Sequence, residues 1–169
     1  MISNKQIECL IENANDEFEI NVLAWTEVAQ NLFRALMAHD EVGQGSCLRG
    51  LDDAFDNVFF DITFTNSDET HELNRTYRNK DYPADIITFA LFADSEDELI
   101  IEKKIVLGDI IIALDKVKQM AQEENKTFDW ELKFLIAHGI LHLLGFDHQD
   151  ENEYNFVVKH QICAIEEIE

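Results

Sequence analysis

The sequence predicts a single α/β (α+β) domain covering residues 1–169, with a mixed sheet of about four strands packed by about five helices, one of them a central helix that carries a metal site. The chain has 169 residues, of which 46% are apolar, enough for one compact core. Apolar runs rich in β-branched and aromatic residues occur between stretches whose apolar residues recur every three or four positions. The resulting order, β, α, β, α, β, β, α, α, α, is typical of a sheet covered by helices.

The first half of the chain contains two predicted strands and two predicted helices. The strands are rich in isoleucine, valine and phenylalanine, and the helices show amphipathic spacing. Asn66 or Ser67, followed by two acidic residues, is a typical helix N-cap. In order, these elements are a strand at Gln6–Glu12, a helix from Phe18 to near His39, an irregular loop at 41–56, a strand at Val58–Thr65 and a helix from Ser67 to about Arg78.

The second half begins after Pro83, the only proline, which prevents a helix from continuing through Tyr82. Asp115 is a candidate N-cap for the first helix of this half, and Thr127 or Asp129 for the second. In order, the predicted elements are strands at Ile86–Phe92 and Ile105–Leu114, a helix from Asp115 to about Glu124, a helix from Thr127 through His142, and a last helix with a buried stripe of Tyr154, Val158, Ile162 and Ile165.

Three of the six histidines lie within eleven residues of an apolar segment. His138 and His142 are four residues apart, which places both imidazoles on one face of a helix. His148 follows six residues later, and Gly145 lies between them as a residue that can end the helix in a left-handed conformation and turn the chain back. Three neutral imidazoles that converge on one point are typical of a catalytic zinc site, with a fourth position left for water or substrate.

Simpler interpretations of these histidines are weaker. A single histidine on an apolar helix is usually a core residue with a satisfied hydrogen bond, but three with this spacing are harder to explain in that way. A closed structural zinc site normally needs a fourth protein ligand, most often cysteine. Asp147 is the nearest candidate for that ligand, and it could equally orient one of the histidines through a hydrogen bond.

The charge balance argues against nucleic acid as a partner when it is considered alone. The chain carries 13 basic and 35 acidic residues, a net charge of −22, so a polyanion is repelled at long range. The segment from His71 to Lys80 is nevertheless locally basic, since it contains Arg75, Arg78 and Lys80 against one acid, Glu72. An anionic substrate is therefore expected to bind at this segment.

Cysteines and hydropathy indicate the cellular compartment. The three cysteines, Cys9, Cys47 and Cys163, are widely separated, which suggests free thiols in a reducing cytoplasm. The sequence has no apolar run long enough to span a membrane and no signal-peptide pattern at its beginning. A cytoplasmic protein without membrane contact is expected.

Three sequence blocks resemble the YbeY family of bacterial metal-dependent endoribonucleases. His138–His148 is similar to the family pattern HGxLHLxGyDH, the block that begins at Leu73 and runs through Phe89 to LNxxYRxKDxPTDVLSFP, and Leu107–Ile110 to LGDI. The blocks occur in the family's order, and the resemblance extends from about Val58 to the end of the chain. The departures from the pattern concern local strand geometry and are Ala84, Thr88 and Ala90.

The resemblance implies a fold, a site and a function. It implies that His138, His142 and His148 hold one zinc ion per chain and that Arg78 faces the metal cleft as the catalytic residue. Arg78 and Lys80 are then the expected substrate-binding residues, because a fork-shaped guanidinium suits a phosphodiester. The implied function is that of a zinc-dependent, single-strand-directed endoribonuclease in rRNA maturation and ribosome quality control, with single-stranded rRNA and the small ribosomal subunit as partners.

Two other functions stay open from the sequence. The first is a metal-dependent hydrolase of another substrate, including peptide, because the histidine spacing also follows the HExxHxxGxxH pattern of metzincin proteases. Gly139 occupies the position of their glutamate base, which disfavours peptide hydrolysis by that route. The second is a ribosome-assembly binding protein with a structural metal. Asp85 and Asp147 are both candidates for handling a proton.

Overall fold

The computed structural model describes residues 2–95 and 100–169. Within these residues it contains five strands and six α-helices. The strands are β1 (Gln6–Asn13), β2 (Asn57–Thr65), β3 (Ile86–Phe89), β4 (Ile100–Ile101) and β5 (Lys104–Ala113). The helices are α1 (Val22–Ala38), α2 (Asp40–Gly45), α3 (Ser67–Arg78), α4 (Leu114–Glu123), α5 (Phe128–Leu143) and α6 (Glu151–Ile168), and a 3₁₀ turn at Ile2–Asn4 precedes β1.

The strands form one mixed sheet, as predicted, in the order β1-β2-β5-β3. β1, β2 and β5 are parallel, whereas β3 and the short β4 both pair antiparallel with β5. The expectation of about four strands missed β4. This strand forms a tight hairpin with β5 through Glu102 and Lys103, whose φ angles are 50° and 59°. Hairpins of this kind usually contain Asn-Gly or Asp-Gly, and that signal is absent here.

Several element boundaries differ from the predicted ones. The loop predicted at 41–56 is not wholly irregular, because it contains most of the six-residue helix α2. Helix α1 begins at Val22 rather than at Phe18, and the Asn21 side chain caps it by accepting a hydrogen bond from the Ala24 N–H. β3 ends at Phe89 rather than Phe92.

The predicted buried stripe of the last helix is wrong except at Ile165. Tyr154 and Ile162 are 53% and 37% exposed, and Val158 is half-buried. The buried face of α6 consists of Val157, His160, Gln161, Ala164 and Ile165.

The predicted N-cap of α4 is also wrong. Helix α4 begins at Leu114 after Ala113, which makes no side-chain capping bond. The Asp115 carboxylate instead accepts a hydrogen bond of 2.9 Å from the backbone N–H of Ser67, in the first turn of α3. Asp115 therefore joins α3 to α4, a role that depends on tertiary contact and has no local sequence signal.

The two faces of the sheet are covered by different helices. Ile110 of β5 faces α5, so its neighbour Asp109 faces the other side of the sheet. Phe89 is paired with Asp109, and its ring contacts that of Tyr77 on α3 with centroids 5.7 Å apart. Helix α3 thus lies on the face away from α5, and both helices contact the edge strand β3.

Helix α5 is the central helix of the core. It packs against the sheet and against α1, α4 and α6, and its buried residues include positions on all sides of the helix. The prediction that the histidine-bearing helix lies against the sheet is confirmed. Four residues of α5 itself, Leu132, Ile136, Ile140 and Leu143, are fully buried.

Gly139 allows the close contact between α5 and β5. A Cβ atom built at Gly139 would lie 2.8 Å from both Cδ1 and Cγ2 of Ile110, whose side chain is fully buried. The absence of a side chain at Gly139 therefore determines how closely the histidine-bearing helix approaches the sheet.

Replacing Gly139 by alanine is expected to destabilise the protein by about 1–3 kcal/mol, because the added methyl group overpacks the core. Urea unfolding measures the change. Gly43→Ala is the matched control, since a Cβ there meets only the Met37 carbonyl oxygen, at an ordinary 3.5 Å. In the double variant Gly139→Ala with Ile110→Ala, the cost of the glycine substitution should largely disappear. Equal costs of Gly139→Ala in both backgrounds would show that Ile110 is not the obstacle.

Candidate metal centre

The three predicted histidines converge on one point. The Nε2 atoms of His142 and His148 lie 3.0 Å and 3.4 Å from Nε2 of His138. One ligand atom from each residue can be chosen so that all three lie within 4.8 Å of one another, and no other such group of histidine, cysteine, aspartate or glutamate occurs in the described part of the chain. A tetrahedral zinc ion, with Zn–N distances of about 2.0–2.1 Å, separates its ligand nitrogens by roughly 3.3 Å. The spacing of the imidazoles fits such an ion.

A helix-ending motif positions the third histidine. Helix α5 carries His138 and His142 and ends at the cap residue Leu144. Gly145 has a φ angle of 92°; its N–H donates to the His142 carbonyl oxygen, and the Phe146 N–H donates to the Leu141 carbonyl oxygen, each at 3.0 Å. These two bonds form a Schellman motif, which reverses the chain after the last turn. The predicted role of Gly145 as the left-handed helix end is confirmed.

Replacing Gly145 by valine is expected to cost about 1–3 kcal/mol of stability and to weaken zinc binding without removing a ligand, because a β-branched residue resists positive φ. A Cβ here would meet nothing closer than Ala93 Cβ at 3.5 Å, so the cost arises from the backbone. Competition with a chromogenic chelator measures the zinc affinity. Gly145→Asn is the control, since asparagine tolerates left-handed conformations and should retain more affinity. Unchanged affinity in the valine variant would contradict this account of the turn.

Burial favours the neutral form of His138 and His142. Burial is the main cause that lowers the pKa of His142 to about 4, and the nearby His138 and His148 rings add to the effect. Burial also lowers the pKa of His138, although its contact with Gln161 and the charge of Asp85 act in the opposite direction. A neutral imidazole has a free lone pair, which is the form that binds a metal ion.

A buried glutamine orients His138. Gln161 of α6 is fully buried, and its Oε1 lies 3.5 Å from His138 Nδ1, a long hydrogen bond. The Gln161 amide nitrogen donates to the Phe134 carbonyl oxygen at 2.9 Å, so the amide oxygen is the atom that faces His138. The proton of His138 is then held on Nδ1, and the Nε2 lone pair faces the other two histidines. Sequence reasoning missed Gln161 because it lies 23 residues from His138 and on another helix.

Asp147 and Asp85, the two candidate proton handlers, lie next to the cluster. Asp147 is exposed; its two oxygens accept hydrogen bonds from the His148 backbone N–H at 2.8 Å and from Gln149 Nε2 at 3.0 Å. It does not belong to the ligand group that the three histidines form, so it holds the His148 loop rather than supplying a fourth ligand. One Asp85 oxygen accepts a hydrogen bond from the Ile86 N–H at 2.8 Å, at the start of β3.

Arg78 lies at the end of α3, within electrostatic reach of the histidines. Its positive charge is among the causes that lower the pKa of His142, after burial and the other two imidazoles. Arg78 is exposed, and no carboxylate lies within ion-pair distance of it in residues 2–95 and 100–169. The neighbouring Asn79, with a φ angle of 54°, ends α3, and the buried side chain of Asn74 holds the next loop by donating to the Tyr82 carbonyl oxygen at 2.9 Å.

The other cations of the predicted basic segment differ in whether they are free to bind an anionic substrate. Arg75 donates to Asp81 at 2.9 Å, and His71 lies 2.7 Å from the same carboxylate oxygen. Asp81 follows the segment directly and neutralises part of its charge. Lys80 is exposed, with Nζ 5.9 Å from the centre of the Tyr82 ring. Of the three predicted cations, Arg78 and Lys80 are therefore available to an anionic substrate.

Comparison with known families decides the classification. A family model described as "Endoribonuclease YbeY" matches residues 10–169. The chain belongs to the YbeY family. The family match begins before Val58, so it includes the N-terminal elements in which the sequence blocks gave no recognisable motif.

Curated YbeY relatives and a solved structure are also similar to the chain. Proteins named Endoribonuclease YbeY from Bacillus subtilis and Staphylococcus carnosus are 45% and 48% identical over 101 and 96 residues. These matches cover 58% and 57% of this chain, which spans 64% and 63% of the length of those relatives. The solution structure of a Thermotoga maritima protein is 25% identical with a TM-score of 0.51, covering 96% of this chain and 91% of that one. The described helices of this YbeY chain include none whose length and hydropathy would let it span a bilayer.

The metal-free YbeY chain is expected to lose stability as the pH falls below about 6.5. The folded pKa of His142, about 4, lies below the ordinary value of 6.5, so between these values the unfolded chain binds more protons than the folded chain. The contribution of neutral His142 is therefore complete above about pH 6.5 and is lost as the pH falls toward 4. The free energy of unfolding, measured between pH 7 and 5 with a chelator present, should fall less steeply in His142→Asn than in wild type. Equal slopes would contradict this prediction.

Proposed function

We propose that this chain is a zinc-dependent, single-strand-directed endoribonuclease that acts on rRNA in maturation and ribosome quality control, on or near the small ribosomal subunit. The observation that carries the proposal is the cluster of three imidazoles, within electrostatic reach of Arg78, in a chain of the YbeY family. His138, His142 and His148 would hold the zinc ion, Arg78 would be the catalytic residue, and Arg78 with Lys80 would bind the substrate.

The donor set suits zinc and leaves the site open. Three imidazoles without a fourth protein ligand among the described residues are the arrangement of catalytic rather than structural zinc sites. When bound, zinc supplies Lewis acidity to a phosphoryl oxygen and lowers the pKa of water to about 7. The chain's own contribution is orientation, because Gln161 fixes the tautomer of His138 and the Asp147 hydrogen bonds hold the loop of His148.

Arg78 would bind the scissile phosphate. The guanidinium carries a permanent charge and several N–H donors, which match two phosphate oxygens at once. Because Arg78 has no carboxylate partner among the described residues, no internal ion pair has to break when a phosphate binds. Negative charge that develops on the phosphate during cleavage would then be stabilised by Arg78 next to the three histidines.

The acidic surface limits the RNA affinity. With a net charge of −22, the chain repels RNA at long range, and Arg78 and Lys80 would neutralise few phosphates. Binding should therefore depend only weakly on salt, and the complex must gain affinity from contacts other than ion pairs.

Peptide hydrolysis is the less favoured alternative. The position of a metzincin glutamate base is occupied by Gly139, where even a Cβ atom would lie 2.8 Å from Ile110. A larger side chain cannot enter that position without displacing α5 from the sheet. The site thus lacks both the general base of that protease class and the room for it.

The test is cleavage of single-stranded RNA and of small ribosomal subunits by the purified chain, with and without a chelator. Zinc-dependent cleavage, lost on chelation while the far-ultraviolet circular dichroism stays unchanged, is the expected result. Loss of the fold on chelation would favour an assembly protein with a structural metal. Cleavage of a peptide library without any RNA cleavage would favour the protease alternative.

A further inference from the structure

All three tyrosines of the chain are largely exposed. Tyr77, Tyr82 and Tyr154 have 65%, 52% and 53% of their surface accessible. A single exposed aromatic residue is ordinary and needs no explanation. The positions of Tyr77 and Tyr154 are less ordinary, because each adjoins a residue of the proposed active site.

Tyr154 lies next to a candidate metal ligand. It is in the first turns of α6, where its backbone N–H donates to the Asp150 carbonyl oxygen at 3.0 Å. Its ring contacts the His148 ring edge to face, with centroids 6.0 Å apart and an interplanar angle of 81°. The helix thus fixes an exposed aromatic face at the border of the three-histidine cluster.

Tyr77 precedes Arg78 on another helix. Its ring packs against the edge strand β3 through Phe89, with centroids 5.7 Å apart at 79°, and this contact holds the ring while 65% of the residue stays exposed. Tyr77 thus lies at the edge strand β3, one residue before Arg78, whose charge reaches His142, whereas Tyr154 contacts His148 directly from α6.

We propose that Tyr77 and Tyr154 are stacking platforms for unpaired nucleobases of the RNA strand whose phosphate lies between Arg78 and the three histidines. This inference rests on the proposed function and adds a recognition mechanism to it. Base stacking on an aromatic side chain tolerates any base sequence and does not depend on phosphate neutralisation. It therefore supplies the non-ionic affinity that a chain with a net charge of −22 requires.

The same platforms account for a preference for single strands. Bases in a duplex are paired and stacked on one another, so their faces are closed to protein side chains, whereas the bases of a single strand can stack on tyrosine. Selection for unpaired RNA then follows from Tyr77 and Tyr154 without any hydrogen bond that reads the base identity.

The test measures binding separately from cleavage. The probe is a labelled 2′-O-methyl single strand, checked on a gel for integrity after each anisotropy titration of the zinc-loaded chain. Tyr154→Ala and Tyr77→Ala should each weaken binding about tenfold, and Tyr154→Phe, which keeps the ring, should change it by less than about twofold. Leu23→Ala is the control, because Leu23 is 82% exposed in the first turn of α1 and belongs neither to the three-histidine group nor to the basic segment. Zinc content and thermal unfolding are measured for every variant.

Three results would overturn the proposal: unchanged affinity in both alanine variants, equal losses for the alanine and phenylalanine variants at Tyr154, or a loss in Tyr154→Ala that disappears when zinc saturates the site. The last result would make Tyr154 a positioning residue for His148. RNA cleavage by the same proteins separates the two proposals. If wild type cleaves RNA and the tyrosine variants bind RNA normally, the nuclease function is supported and the stacking role is contradicted. If binding depends on the tyrosines but no RNA is cleaved, the stacking role is supported and the nuclease function is contradicted.

Discussion

Alanine at His138 or at His142 is expected to abolish stoichiometric zinc binding and, with it, RNA cleavage. The two Nε2 atoms lie 3.0 Å apart, so each would supply one of three protein ligands to the same ion. Removing an outer partner of a metal ligand already costs 10–100-fold in affinity, and removal of a ligand itself should cost more than about 100-fold. Metal analysis of the purified variants, together with chelator competition, measures the loss.

His71→Ala is the matched control for the histidine variants. His71 lies on α3 beside Asp81 and outside the three-histidine group, so its replacement should leave one zinc per chain. If His138→Ala and His142→Ala both kept full stoichiometric zinc, the assignment of the ligands would be wrong. A parallel loss in His71→Ala would indicate general unfolding rather than loss of a ligand.

Replacement of Arg78 by alanine is expected to lower RNA cleavage by about 10²–10³-fold, the usual cost of removing one group that stabilises developing charge. Zinc content and stability should stay unchanged, because Arg78 is exposed and makes no ion pair among the described residues. Arg78→Lys should restore only part of the rate, since an ammonium group cannot reproduce the two parallel hydrogen bonds of a guanidinium. Single-turnover cleavage of a single-stranded RNA is the measurement.

Arg75→Ala is the control for Arg78, because it removes the same charge from the same helix. Arg75 is already paired with Asp81 at 2.9 Å, so its loss should affect cleavage much less. Equal effects of the two substitutions would mean that the RNA responds to the total charge of α3 rather than to a phosphate site at Arg78. Wild-type cleavage by Arg78→Ala would remove Arg78 from the mechanism.

The metal ligands could be predicted from the sequence because their geometry is local. The spacing of His138 and His142 depends only on the helical repeat, and the turn to His148 depends on one glycine with positive φ. Helix α5 and the three long strands were predictable for the same reason, since their apolar patterns are continuous. Gln161 and Tyr154 could not be predicted as site residues, because α6 is placed beside the histidines by tertiary packing.

The free positive charge of the basic segment is smaller than the sequence predicted. The segment was taken from His71 to Lys80, which leaves out the next residue, Asp81, whose carboxylate pairs with Arg75 and His71. The hairpin between β4 and β5 was missed because Glu102 and Lys103 adopt positive φ angles without glycine or asparagine. The charge of the basic segment thus depends on contacts between side chains, and the hairpin depends on a backbone conformation that its residue types do not predict.

A zinc titration of the metal-free chain, with RNA cleavage measured at each point, tests the central claim most directly. The three histidines form one group that could hold a metal within the described chain, so the cleavage rate should rise in proportion to bound zinc and reach its plateau at about one ion per chain. His142→Ala should show no such rise. Full cleavage by the metal-free chain, or zinc bound at one per chain without any cleavage of single-stranded RNA or of ribosomal subunits, would contradict the account.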